Sequence, residues 1–222
     1  MEYHFFWLAL VTAIIDWIAI YKRWKIFDYI LKPSVILILL ITVWQISNFE
    51  GFMVWFGIAL ALSLAGDIVL MLSNKRLLAG IFLFAFAHIA YIIGFNLTPP
   101  PLDVVSIIIA LFILLPFIQV ARRIISSIKT SGNDQFVLPV AIYSFVIGLM
   151  LFSASLSLVR QDWPYSSAVP VSLGALLFVL SDLQLAWNKF VTPLPHPELR
   201  IIIPYHIGQI LIISGSLLQY SV

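Results

Sequence analysis

The chain has 222 residues, of which 62% are hydrophobic and only 10% charged, against about 25% charged in soluble domains. A net charge of +2 argues against a nucleic-acid partner, and the absence of cysteine excludes disulfides, thiolate metal sites and cysteine nucleophiles while leaving the redox compartment open. What remains is an integral membrane protein with several runs near the roughly 20 residues that a spanning helix needs.

The first stretch, "MEYHFFWLALVTAIIDWIAIYKRWK", has neither a basic leader nor a small-residue cleavage site, so it is expected to be a spanning helix and not a signal peptide. Eight apolar segments follow one another at roughly 5–21, 33–48, 51–73, 78–95, 103–120, 136–158, 167–187 and 201–219. The connections are short and hold the turn formers and charges, as in "TPPPLD" and "TPLPHPELR". Backbone in lipid must satisfy its own hydrogen bonds, and runs this uniformly apolar read as helices, since barrel strands would alternate. The expected fold is an all-α polytopic bundle of about eight transmembrane helices, forming one domain over 1–222.

Orientation follows from the cations. Lys22, Arg23, Lys25 and Lys32, then Lys75 and Arg76, then Arg122, Arg123 and Lys129, then Lys189 and Arg200 fall on one side; Arg160 stands alone on the other. This split predicts that the basic side is cytosolic and that both termini are non-cytosolic.

Acids inside apolar segments are costly, and an intramembrane ionisable residue is by default a candidate for function. Asp67, in "LSLAGDIVLML", and Asp182, in "LLFVLSDLQLA", each fall about five or six residues from the cytosolic end of their segment. At 1.5 Å per residue that is roughly 8–10 Å deep. Asp16, Tyr205 and His206 lie at similar depth, Gln209 one turn deeper and His88 near mid-membrane, so the polar residues gather toward one side as if around one cavity. Each has a plainer reading. Asp67 as a neutral carboxyl bonds a neighbouring helix; Asp16 takes a snorkelling Lys22 or Arg23; His88 with Tyr91, and Tyr205 with Gln209, share helix faces that serve packing as well as chemistry. Gly66 is expected to permit close helix packing. The two Asp stretches also echo one another, each followed 20 to 25 residues on by a helix with His or Tyr ("AHIAY" and "PYHIGQ"), the pattern of a parallel four-helix repeat.

Six stretches, "LKPS" (31–34), "SLAGDIVLML" (63–72), "FAFAHIAYIIGF" (84–95), "YSFVIGLM" (143–150), "GALLFVLSDLQLA" (174–186) and "PYHIGQILI" (204–212), together resemble the YhhN-like lysoplasmalogenase family of integral membrane proteins. The resemblance implies hydrolysis of the vinyl ether of a lysoplasmalogen to a fatty aldehyde and a glycerophospho-ethanolamine or -choline. It carries Asp67 and Asp182 as the catalytic pair, with Lys32, His88, Tyr91, Tyr143, Ser181, Tyr205 and Gln209 in binding or supporting roles. Vinyl ether cleavage protonates the β-carbon, and water then attacks the oxocarbenium ion. An acid that keeps its proton in a low-dielectric site and a second carboxylate beside it suit that chemistry, by analogy with glycosidases. Lys32 either meets the substrate phosphate or marks topology. The expected partners are a lysophospholipid and membrane lipids, with oligomeric state left open and neither metal nor cofactor needed. The location is the cell membrane in a bacterium or an endomembrane such as the endoplasmic reticulum in a eukaryote. A serine-hydrolase route lacks G-x-S-x-G, and a zinc route lacks H-E-x-x-H. The rivals are a proton-coupled transporter using the same carboxylates, an aspartyl protease (although G-x-G-D is missing), and a purely structural bundle.

Overall fold

The computed structural model describes residues 4–72, 76–100 and 103–221; Lys75, one of the basic residues used for orientation, lies outside them. Eight helices follow in chain order: α1 His4–Tyr21, α2 Lys25–Ser47, α3 Met53–Leu72, α4 Leu77–Phe95, α5 Val104–Thr130, α6 Val137–Leu156, α7 Tyr165–Phe190 and α8 Pro197–Tyr220. Among the described residues there is no strand, and eight helical stretches are long and apolar enough to cross a membrane. The protein is an integral membrane protein.

The helix ends differ from the apolar segments in an informative way. α2 starts eight residues before its segment and runs through Pro33, so Lys25 and Lys32 are helical and not in a loop. α5 continues ten residues beyond its segment and carries Arg122, Arg123 and Lys129 as far as Thr130. α7 and α8 likewise take in Lys189 and Arg200. Hydropathy marks where hydrocarbon ends, and the helices extend past it. Their polar ends keep the backbone bonded while the charges reach water.

Local signals set the other ends. Asp103 caps α5, its carboxylate accepting from the Ser106 backbone N–H at 2.9 Å. Asn48 closes α2 in the left-handed conformation (φ 47°), its N–H donating to the Trp44 carbonyl.

Packing is tightest between α7 and α8 and between α3 and α4. α7 and α8 meet backbone on backbone. A Cβ placed on Gly174 would come within 2.7 Å of the Gly208 carbonyl oxygen, and one on Gly208 within 2.8 Å of the Gly174 oxygen. Small residues at such a crossing are what lets two membrane helices approach. Gly66 serves the α3–α4 contact as expected, leaving room for the Phe84 ring at what would be 2.7 Å from its Cβ. The core gathers Phe56, Tyr91 and Phe178, all fully buried. Large apolar side chains such as Phe112, Leu138 and Phe145 face outward, the reverse of a water-soluble fold and the surface that lipid requires.

Candidate functional site

Six helices bring the polar residues together, and the pairing of the two acids is crossed. Asp67 on α3 receives the Tyr205 hydroxyl of α8 at 2.7 Å on Oδ2, and its Oδ1 lies 3.4 Å from Lys32 Nζ on α2. Asp182 on α7 lies 3.0 Å from His88 Nε2 of α4, and the Tyr143 hydroxyl of α6 approaches the same nitrogen at 3.3 Å. Each acid thus bonds to the helix that follows the other acid, as two related halves facing each other would arrange. One turn deeper, the Tyr91 hydroxyl donates to Gln209 Oε1 at 2.6 Å, and Gln209 Nε2 donates to Ser63 Oγ at 3.2 Å.

Phe178 packs between the two hydrogen-bond partners of the acids. Its ring packs on His88 at 4.6 Å between centroids and on Tyr205 at 5.2 Å, and Phe84 closes edge-on against Tyr205. Both hydrogen-bond partners of the acids are therefore clamped by one buried aromatic side chain.

A cavity of about 500 Å³ opens beside the pair. Lys32, Asp67, Ser181, Asp182 and Tyr205 line it, with Asp28, Lys189 and Glu198 toward its rim. Asp67 is all but sealed and Lys32 about one-fifth exposed, so the acids lie at the foot of a cleft that opens at the basic end of the bundle. A carboxyl there is reachable by a polar head and screened from bulk water.

The expected residues thus fall into three groups. Lys32, Asp67, Ser181, Asp182 and Tyr205 face the cavity; the Ser181 hydroxyl donates to the Ile201 carbonyl at 2.7 Å. His88 and Tyr143 stand behind Asp182. Tyr91 and Gln209 lie deeper, bonded to each other and to Ser63, and do not line the cavity. Asp16 is fully buried with no hydrogen bond on either oxygen, so neither Lys22 nor Arg23 bonds it. His206 turns away from the acids and takes the Trp17 indole N–H at 3.2 Å. The sequence reading missed the rim acids Asp28 and Glu198. Helical spacing was the available signal, since Asp28 precedes Lys32 by four residues and Glu198 precedes Tyr205 by seven. Among the described residues, no three His, Asp or Glu side chains converge so as to hold a metal ion.

These features define a class: an integral membrane helix bundle with paired carboxyls at the foot of a cavity open at one end. Residues 27–216 match the model of the YhhN family, and the chain belongs to that family. Human lysoplasmalogenase TMEM86B is 30% identical over 174 residues, 78% of this chain and 68% of the human protein. The pig protein of the same name is 32% identical over 69% of this chain, which spans 59% of that relative's length. Mouse lysoplasmalogenase TMEM86B is 31% identical over 85% of this chain and 74% of its own. By this likeness the chain falls among lysoplasmalogenase-like membrane hydrolases. No solved structure matches it significantly.

Proposed function

We propose that the protein cleaves the vinyl ether of lysoplasmalogens, releasing a fatty aldehyde and glycerophosphoethanolamine or glycerophosphocholine. The observation that carries this reading is the pair Asp67 and Asp182, placed by different helices on one cavity that has cations at hand and is open at the basic end. Support also comes from the relatives named lysoplasmalogenase.

In this mechanism one carboxyl gives its proton to the β-carbon of the vinyl ether, leaving an oxocarbenium ion. The other takes a proton from water as its oxygen bonds to the cationic carbon. The hemiacetal then collapses: the second carboxyl passes the proton it took to the glycerol oxygen as the carbon–oxygen bond to glycerol breaks, and the hemiacetal hydroxyl gives its proton to the first as the aldehyde carbonyl forms, restoring both. Overall one water is consumed. We assign the carboxylate role to Asp67, which has Lys32 beside it, and the acid role to Asp182, which His88 Nε2 holds in place at 3.0 Å. Lys32, part-exposed at the cavity wall, also meets the substrate phosphate as a compact cation.

The test is incubation of purified protein, in detergent or liposomes, with a lysoplasmalogen and measurement of aldehyde. Asp67→Asn and Asp182→Asn are each expected to lower kcat by about 10²–10⁴, the usual worth of a general acid or base. Full activity in both variants overturns the two-carboxylate mechanism. Absence of aldehyde from the wild-type protein overturns the hydrolase reading itself.

A further inference from the structure

On an apolar side, the cavity that holds the acids shares wall residues with a second space. Asp182 also lines a narrow cleft of about 40 Å³, whose other walls include Ile124 of α5 and Tyr143, Ser144 and Ile147 of α6. Ser144 in turn lines a third cavity of about 340 Å³ between α5 and α6, walled by Phe117, Ile118, Phe145 and Leu149. Three spaces thus share walls in series, polar at the acids and almost wholly hydrocarbon at the far end.

The shape of the last one suits a chain. Its lining runs from Leu114 to Ile125 on α5 and from Ala141 to Phe152 on α6, eleven steps on each helix or about 17 Å along the axes. Gly148 keeps its floor open, because a Cβ there would stand 3.2 Å from the Phe117 ring and 3.7 Å from Leu114. Phe145 is 71% exposed, so the outer wall faces lipid. The vinyl carbons are bonded directly to the rest of the aliphatic chain. With those carbons at the acids and the head at the polar rim, the chain must leave on the side where Asp182 meets hydrocarbon.

We propose that the alkenyl chain of the substrate passes Ser144 and lies in the α5–α6 groove, so that this groove sets chain-length preference. The proposal rests on the vinyl-ether hydrolase reading above. It assigns the groove one occupant, the single aliphatic chain of a lysolipid, from the cleft that Asp182 and Ser144 both line. After cleavage the same groove lets the aldehyde part sideways into the bilayer.

The test compares wild type and Gly148→Leu on lysoplasmalogens of long and short alkenyl chain. The variant is expected to lose about tenfold or more in kcat/KM on the long chain, as when two or three methylenes lose an apolar seat, and to keep the wild-type rate on the short one. The short-chain rate also shows that the variant is folded. An unchanged chain-length profile overturns the proposal while leaving the hydrolase reading intact. A binding arm needs no turnover: a saturated lysophosphatidylethanolamine with a photoreactive group at its chain end is expected to label peptides within 114–125 or 141–152. Labelling elsewhere, or equal labelling by a two-chain phospholipid, overturns it even if no aldehyde is ever formed.

Discussion

Tyr205 and Tyr91 carry the same hydroxyl, one helical turn's worth of depth apart, and are expected to respond differently to its loss. Tyr205 donates to an oxygen of the cavity-lining Asp67 at 2.7 Å, whereas Tyr91 donates to Gln209, away from the cavity lining. A hydrogen bond to a charged group is worth about 1.5–3 kcal/mol. Tyr205→Phe is therefore expected to lower kcat/KM roughly ten- to a hundredfold and to alter the pH–rate profile, with a near-normal melting temperature. Tyr91→Phe strands a buried amide oxygen and is expected to lower stability by about 1–3 kcal/mol with little change in the profile. Kinetics across pH beside melting in detergent separate the two; identical behaviour would sink the distinction. The sequence made the acids legible because a carboxyl in a spanning segment is too costly to be incidental. It did not show that Asp67 bonds Tyr205 and Asp182 bonds His88, since each bond joins helices whose mutual placement no spacing along the chain encodes.

At the scale of the helix pair, α7 and α8 carry Asp182, Ser181, Tyr205 and Gln209, and their relative height is set where Gly174 meets Gly208. The neighbours of an added Cβ there are backbone atoms, which cannot rotate aside. Gly208→Leu is expected to cost about 1–3 kcal/mol of stability or more by overpacking and to reduce activity with it, whereas Gly51→Ala, where a Cβ meets nothing but φ is +57°, leaves the α7–α8 contact untouched. Melting and aldehyde release read together check this. At the opposite end of the bundle, Arg160 is explained as a tie. It bonds Asp162 through two nitrogens and the Phe95 carbonyl at 2.9 Å, joining the α6–α7 connection to the end of α4. The Arg160 hydrogen bonds hold the Asp162 carboxyl below the usual carboxylate range. A depressed folded-state pKa contributes stability above the unfolded value, near pH 4, that is lost as pH falls through the lower folded one. Melting temperature is expected to fall on acidification across that window, and Asp162→Asn to remove that component. Much of the element order was legible, because lipid leaves a length signal. The true starts of α2 and ends of α5 were not, because charged turns such as Lys25–Lys32 and Arg122–Thr130 remain helical after hydropathy has ended.

Over the whole molecule, the count of helices was readable from the alternation of basic and non-basic connections, while their neighbours were not. Lipid-facing and helix-facing positions are both apolar, so periodicity says little about which helices touch. The same basic asymmetry makes a prediction that reaches from fold to substrate. The connections α1–α2, α3–α4, α5–α6 and α7–α8 share one end by chain order, and the cavity lined by the two acids has Asp28 of α2 and Glu198 of α8 among its walls there. If cations are retained on the cytosolic side, the site draws its lipid from the cytosolic leaflet, and products with polar heads return to the cytosol. Because the chain has no cysteine, single introduced thiols report on this without background. Ser131→Cys, just beyond α5 at the basic end, is expected to resist a membrane-impermeant maleimide in intact cells and to react once the membrane is opened. Gln161→Cys, beside Arg160 at the other end, is expected to react in both. The reversed pattern would place the acids' cleft on the outer face and reassign the leaflet that supplies the substrate, whatever the outcome for the chemistry at Asp67 and Asp182.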